Sequence, residues 1–189
     1  MLAREFNLRI IAGRWKGRRL LAVKGMHTRP TSDRVKEAIF NILQRCIEGA
    51  NVLDLFAGTG NLGLEALSRG CARVVFVEKD PRAVDVLNKN RASLGCTEQT
   101  AVIRDDVFHA IKRLSCQERF DIIFADPPYG KGLETPLLNA IAENDVLCQD
   151  GVVILEHSSR DPQPDRVGNL VKLQDRRYGN TEISFYKKE

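Results

Sequence analysis

From residue 51 onward, short apolar runs alternate with stretches of helical periodicity, and this alternation constrains the fold more than any other feature. The apolar runs are NVLDLF, RVVFVE, TAVIR, FDIIFA and VVILEH, and stretches such as NLGLEALSR and PRAVDVLNKNRASLG separate them. Several runs are apolar throughout, which is typical of strands that helices cover on both faces. The pattern predicts an α/β fold with a doubly wound, mostly parallel sheet.

The two ends of the chain depart from this alternation. After the loop SSRDPQPDRVG, the runs LVKLQDRRY and TEISFYKK are joined by Gly179-Asn180, which predicts a hairpin that adds an antiparallel strand to the sheet. Near the start, LRIIAGRWKGRRLLAV predicts a second hairpin with a basic loop, and an amphipathic helix follows, capped by Thr31 or Ser32 and ending near Gly49. We therefore expect a basic hairpin-and-helix extension over residues 1–48 and the main domain over residues 49–189.

Charge is distributed unevenly along the chain. The formal net charge is +4, yet residues 1–45 hold eleven Lys or Arg against three acids, so the remainder is net negative. A basic end indicates a polyanionic partner, with a solvated surface as the alternative. No apolar run approaches the roughly 20 residues that span a bilayer, and no signal peptide is evident, so we expect a cytoplasmic protein without a membrane partner. The five cysteines are scattered without a CxxC pair, so we expect reduced thiols and no metal site.

A glycine-rich turn follows the first strand. Residues 54–63 read DLFAGTGNLG, in which Gly58, Gly60 and Gly63 spell GxGxxG before a helix whose free N–H groups suit an anion. The spelling alone fits a nicotinamide dinucleotide as well as other nucleotides, and Glu78 at the end of the next strand fits ribose hydroxyls in either case. Asp54 favours a ligand that carries an ammonium or sulfonium cation, because a carboxylate here would repel a pyrophosphate.

The fourth strand ends in FADPPYG, residues 124–130. Asp126 supplies an acid, Pro127 and Pro128 fix the backbone φ near −65°, and Tyr129 adds an aromatic ring. A hydride-transfer enzyme has no obvious use for this combination. In the plainer interpretation, Asp126 caps the following helix and the prolines end the strand.

In order and spacing, VLDLFAGTG, VFVEKD, RDDV and FADPPYG resemble the motifs of class I S-adenosylmethionine-dependent methyltransferases that modify exocyclic amines of nucleobases. Over nearly its full length, including RIIAGRWKGRRL and RPTSDRVKEAIFNIL, the chain is similar to the RsmD-like 16S rRNA guanine-N2 methyltransferase family. The resemblance implies a Rossmann-like methyltransferase fold, S-adenosylmethionine as cofactor, and 16S rRNA or the small ribosomal subunit particle as partner of a cytoplasmic monomer.

The resemblance also implies roles for single residues. Gly58 and Gly60 would admit the methionyl part of the cofactor, Glu78 its ribose, and Asp106 its adenine amino group, leaving Asp105 as a helix-start residue. The implied cofactor set also includes Asp54, for the methionyl ammonium, and Phe56, Lys79, Val107 and Thr31.

At the acceptor side, the Asp126 carboxylate and the Pro127 carbonyl would hold the target amine. Pro128 would add rigidity, and Tyr129 would stack on a base that has left its helix or loop.

The nucleic-acid contacts predicted for the basic end are Arg14, Trp15, Lys16, Arg18, Arg19 and Arg29. Trp15 could equally plug the hairpin against the sheet, and Arg29 could belong to a plain helix entry. Ser158 to Arg160 and Arg176-Arg177 are further candidates, with a solvated surface as the default. The rival functions are methylation of DNA adenine or protein glutamine, a nicotinamide-dependent oxidoreductase, and a non-catalytic RNA-binding module.

Overall fold

An eight-stranded sheet forms the centre of the computed structural model, which describes residues 8–23 and 32–189. The strands are β1 (Asn51–Leu55), β2 (Arg73–Val77), β3 (Thr100–Ile103), β4 (Phe120–Ala125), β5 (Leu147–Ser158), β6 (Arg166–Val167), β7 (Leu170–Tyr178) and β8 (Thr181–Lys188). Their order is β3-β2-β1-β4-β5-β8-β7-β6, with β1 to β5 parallel and the last three pairings antiparallel. The predicted doubly wound sheet is confirmed, and its strand order reverses between β1 and β4.

Helices cover both faces of the sheet. They are α1 (Asp33–Leu43), α2 (Asn61–Ser68), α3 (Pro81–Leu94), α4 (Val107–Leu114) and α5 (Glu134–Glu143). One hydrophobic cluster packs α1, α2 and α3 against side chains such as Val52 and Phe124. A second packs α4 and α5 against the alternate residues Leu53 and Ile123. Burial on both faces explains why these strands are continuously apolar in sequence.

The closing hairpin is also confirmed, since β8 pairs with β5 and β7 pairs with β8 on its other side. The loop that precedes it contains one strand the sequence did not predict. Arg166 and Val167 pair with Val171 and Leu170 to form the edge strand β6. Two residues are too few to give an alternating pattern, so no periodic signal marks this strand.

The predicted end of α1 was wrong. Ser32 caps the helix by accepting from the N–H of Val35 at 3.4 Å, but the helix ends at Leu43, not near Gly49. The carbonyl of Leu43 accepts from the N–H groups of both Cys46 and Ile47, so a turn returns Ile47 to the core. The spacing of Leu43 and Ile47, which predicted that the helix continues, is thus explained by a turn that buries both side chains.

Residues 8–23, which we call the strap, form a looser structure than the predicted hairpin. A single antiparallel bridge joins Arg9 and Arg19, with a turn between them. Leu8, Ile10 and Leu20 are buried in the same cluster as the helices α1 to α3. The strap thus shares a core with the sheet, and the division at residue 48 stays a prediction.

One buried carboxylate anchors the strap. Glu65 of α2 accepts from the N–H groups of Ile11 and Ala12 at 2.8 and 3.0 Å. The fully buried Lys36 ammonium lies 3.4 Å from the same carboxylate and donates to the carbonyl of Arg9 at 2.6 Å. A buried charge is tolerated where hydrogen bonds and an opposite charge compensate it, as here.

Candidate active site

Acidic side chains gather at the carboxyl ends of the strands, around the point where the strand order reverses. Asp54 lies in β1 and pairs in register with Phe124 of β4, so Asp126 lies one diagonal position further along the same face. Ala125 pairs with Leu155, and the next positions, Asp126 and Glu156, are therefore neighbours on this face. In open α/β sheets this edge is where ligands bind.

The glycine turn divides into one open position and two packed ones. Gly58 and Gly60 have φ of +54° and +87°, in the left-handed region that favours glycine. A Cβ on Gly58 would meet nothing within 4 Å, whereas one on Gly60 would lie 2.5 Å from Leu87 and one on Gly63 2.3 Å from the Phe76 ring. Gly58 therefore leaves room for a ligand, while Gly60 and Gly63 allow close packing against α3 and β2.

Glu78 follows β2 and holds the glycine turn in place. Its carboxylate accepts from the N–H of Gly58 and from the N–H of Asp80, each at 2.8 Å. A carboxylate has about four lone-pair directions, so it retains acceptor capacity for hydroxyl donors such as a ribose diol. The residue fits the role that the family resemblance implies.

Asp54 is a buried acid behind this turn. Its Oδ2 accepts from the N–H of Gly63 at 2.9 Å, close to the start of α2. Burial, and to a lesser degree the Glu78 charge, raises the pKa of Asp54 to about 7 despite the Gly63 hydrogen bond. A cation at this edge would favour the ionised form, which suits a ligand with an ammonium or sulfonium group.

The two acids after β3 differ in their relation to α4. Asp106 is the N-cap of α4, since its Oδ1 accepts from the N–H of Phe108 at 3.0 Å. The expectation that Asp105 starts the helix was therefore wrong. Asp105 accepts from the N–H of Asp106 at 2.8 Å and lies 3.6 Å from His109. Contact of Asp106 with adenine stays a prediction.

Asp126 lies directly after β4, and Pro127 behind it is buried while Pro128 is exposed. The pKa of Asp126 is raised well above its usual value, first by burial, then by the charges of Glu156 and Asp54. The helix α5 begins only at Glu134 and has Leu133 as its N-cap, so Asp126 does not cap it. The plainer interpretation of this acid is thus wrong.

Tyr129 is half exposed, at 49%, and its hydroxyl is held by two strands. It donates to Glu156 Oε1 of β5 at 2.9 Å and lies 3.3 Å from Thr181 Oγ1 of β8. Burial and the Glu156 charge raise the pKa of this phenol, so it remains a donor. Sequence reasoning missed Glu156 and Thr181; the only signal for Glu156 was an acid near the end of an apolar strand.

The other predicted cofactor residues are placed as follows. Phe56 has φ of +60°, an uncommon conformation for a residue with a side chain, which costs of order 1–3 kcal/mol and is found disproportionately at functional sites. Lys79 is exposed after Glu78, and Val107 is buried at the start of α4. Thr31 and Arg29 lie outside the described residues.

The basic tip of the strap lies near the amino ends of the parallel strands, whereas these acids lie at their carboxyl ends. The N–H of Arg14 donates to the carbonyl of Ser68, at the end of α2, and its guanidinium to Gln99, just before β3. The guanidinium of Arg18 donates to the carbonyl of Ser93, near the end of α3. Lys16 and Arg19 are exposed on the same turn and its return segment.

Trp15 is partly buried against the core and carries the Arg14 guanidinium 3.9 Å from its ring centroid. The backbone N–H of Trp15 also donates to the Ser68 hydroxyl at 3.0 Å. These contacts fit the alternative in which Trp15 packs the strap against the domain. Nucleic-acid binding by the tip stays a prediction, and it would act away from Asp126.

Two kinds of feature are absent from residues 8–23 and 32–189. No helix in this part of the chain is long and apolar enough to cross a membrane. In the same ranges, no three His, Cys, Asp or Glu side chains gather in a way that could hold a metal ion.

A glycine turn after β1 and a DPPY turn after the adjacent β4, on a sheet with this strand order, define the class of Rossmann-like methyltransferases. A solved structure of the Escherichia coli protein yhhF shares this architecture. The two superpose with a TM-score of 0.86 at 33% identity, over 96% of this chain and 97% of that one.

The family can be named from the sequence matches. The family described as "Conserved hypothetical protein 95", the RsmD family, matches residues 8–187, and the chain belongs to it. YlbH of Bacillus subtilis is 42% identical over 182 residues, 96% of this chain and 99% of that protein. Ribosomal RNA small subunit methyltransferase D of Escherichia coli K12 is 32% identical over 183 residues, 97% of this chain and 91% of that protein.

Proposed function

We propose that this protein is a cytoplasmic, S-adenosylmethionine-dependent rRNA methyltransferase that methylates the exocyclic N2 amine of a guanine in 16S rRNA of the small subunit. The observation that carries the proposal is the register of β1 and β4. It sets Asp126, the residue after β4, next to the start of the glycine turn that follows β1, and a Cβ at Gly58 of that turn would meet nothing within 4 Å. The names of the methyltransferase D relatives support ribosomal RNA as substrate.

The residues fit the cofactor they would hold. Gly58 offers open space, Glu78 offers acceptors for hydroxyls, and Asp54 offers a buried carboxylate for a cation. When bound, S-adenosylmethionine would supply a methyl group made electrophilic by its sulfonium.

The chain's own contribution is to orient and activate a weak nucleophile. A nucleobase amine has its lone pair delocalised into the ring. Donation of its two N–H groups to the Asp126 carboxylate and the Pro127 carbonyl would direct that lone pair at the methyl carbon. The prolines fix the carbonyl in advance, so little ordering remains at the moment of transfer.

Asp126 would also accept the proton that the amine loses after methyl transfer. Transfer of the methyl group from the sulfonium would leave the amine nitrogen cationic, and the amine would then have to lose one proton. A carboxylate with a raised pKa is a better acceptor for that proton than an ordinary surface acid. Asp126 would therefore hold the amine first and take its proton afterwards.

The test is transfer of a radiolabelled methyl group to small-subunit particles, naked 16S rRNA and DNA. Asp126→Asn should lower transfer at least about 100-fold, because an amide cannot take the proton that the amine loses, and positioned proton transfer contributes about 10²–10⁴-fold. The matched control is Asp121→Asn, at the other end of the same strand, where the side chain accepts from the N–H of Asn51. Transfer to DNA alone, or equal activity of the two variants, would contradict the proposal.

A further inference from the structure

The rim beside Tyr129, where β5 and β7 end and β8 begins, carries the exposed cation Arg176 on the site face. Glu156 pairs in register with Ile183, and Ile183 pairs with Arg176. Directly paired residues of neighbouring strands point to one face, so Arg176 lies on the same face as Glu156. Two strand spacings separate their backbones, which is about 10 Å.

The neighbours of Arg176 show that this rim is continuous with the candidate site. Tyr178, two residues further along β7, packs against the same hydrophobic cluster as Phe124. It pairs with Thr181, whose hydroxyl contacts the Tyr129 hydroxyl. A ligand that stacks on Tyr129 and extends along the sheet edge would therefore meet Thr181, Tyr178 and then Arg176.

The charge of Arg176 is not neutralised within the described residues. Its side chain is exposed and forms no ion pair with residues 8–23 or 32–189. Two other cations of the closing hairpin region are paired: Arg166 with Glu189, and Lys172 with Asp165 and Asp175 at 3.2 and 3.1 Å, whereas Arg177 forms no ion pair with the described residues. Arg160 is a second exposed cation nearby, since the N–H of the preceding Ser159 donates to the carbonyl of Asn180 in the hairpin turn.

We propose that this rim binds the phosphate backbone of the single-stranded RNA that flanks the target base, with Arg176 as its main contact. The inference rests on the proposed function and adds where the RNA strand runs. The site itself presents Asp54, Asp126 and Glu156, so a polyanion needs compensating positive charge next to them. In a nucleotide, the base and the sugar separate the phosphate from the exocyclic amine. A cation about 10 Å from Glu156 would therefore contact a phosphate and not the target base.

Arg177 provides a matched control because it is the next residue and points to the other face. It pairs in register with Glu182, which pairs with His157. Arg176→Ala and Arg177→Ala therefore remove the same charge from adjacent positions of one strand. Electrostatics at long range changes equally in both. Arg177→Ala also removes a hydrogen bond from its Nε to the carbonyl of Gly179 at 3.2 Å, so the melting temperatures of both variants are compared with wild type.

The experiment measures binding of an unmodified 16S rRNA transcript at several salt concentrations, together with methyl transfer. Arg176→Ala should weaken binding about tenfold, as loss of a hydrogen-bonded charge contact does, and reduce the salt slope by about 0.7. It should raise KM and leave kcat and cofactor affinity unchanged. Arg176→Lys should retain the slope, and Arg177→Ala should resemble wild type.

Equal effects of the two alanine variants would overturn the inference. Arg176→Gln, which keeps a long side chain, gives the same readout if the alanine variant has a lowered melting temperature. Failure of the proposed function has a different signature: the wild-type protein would bind the transcript without methylating it, while the difference between Arg176 and Arg177 persisted.

Discussion

Asp54 predicts an unusual dependence of stability on pH. Its pKa is about 7 in the folded protein and near 3.8 in an unfolded chain, so the folded state binds an additional proton between these values. Stability that depends on this proton is fully present below pH 4 and is lost as pH rises through 7. From pH 5 to pH 8 the loss from this one group is about 2–3 kcal/mol, worked from the two pKa values.

The substitution Asp54→Asn removes the titration and keeps an oxygen that can accept from Gly63. We expect the free energy of unfolding of the cofactor-free variant to lack this fall. The free energy of the variant minus that of wild type should therefore be larger at pH 8 than at pH 5. Urea unfolding of both proteins at the two pH values measures the difference. The control is Asp150→Asn, an exposed acid, which should parallel wild type.

A difference between wild type and Asp54→Asn that does not change with pH would refute the reasoning. The same proton gives a second readout. If a cation of the cofactor lies near Asp54, binding should release protons at pH 6, which calorimetry in buffers of different ionisation enthalpy detects. The Asn variant should release fewer.

Two further predictions concern the turn after β4 and the glycine turn. Glu156→Gln should shift the acidic limb of the pH profile of kcat/KM to lower pH, because removal of the Glu156 charge lowers the pKa of Asp126. Tyr129→Phe retains Glu156 and should leave this limb in place. Gly63→Ala should lower the free energy of unfolding by about 1–3 kcal/mol, because its Cβ would overlap an aromatic ring of β2, and urea unfolding equal to wild type would contradict this.

The sheet and its site edge could be predicted because their signals are local. Continuous apolar runs specify strands buried on both faces, and glycine or proline turns directly after β1 and β4 mark the edge at which ligands bind. The adjacency of Asp54 and Asp126 was not predicted, because it depends on the pairing of β1 with β4, which lie about 70 residues apart in the chain.

The course of the strap could not be predicted, because it depends on distant contacts. Glu65 is one acid on the buried helix α2, and nothing nearby in sequence indicates that it accepts from Ile11 and Ala12. Its contacts direct the basic tip to the amino ends of the parallel strands. Glu156 was missed for a related reason, since its importance depends on the register of β5 with β4 and β8.

The position of β8 has a consequence for biosynthesis. This strand is near the end of the sequence, yet it lies inside the sheet between β5 and β7. While the chain is being made, β5 would have an unpaired edge until β8 has left the ribosome and inserted. The Thr181 hydroxyl, and with it one contact of the Tyr129 hydroxyl, would thus come into place only after β5 to β7 have been made.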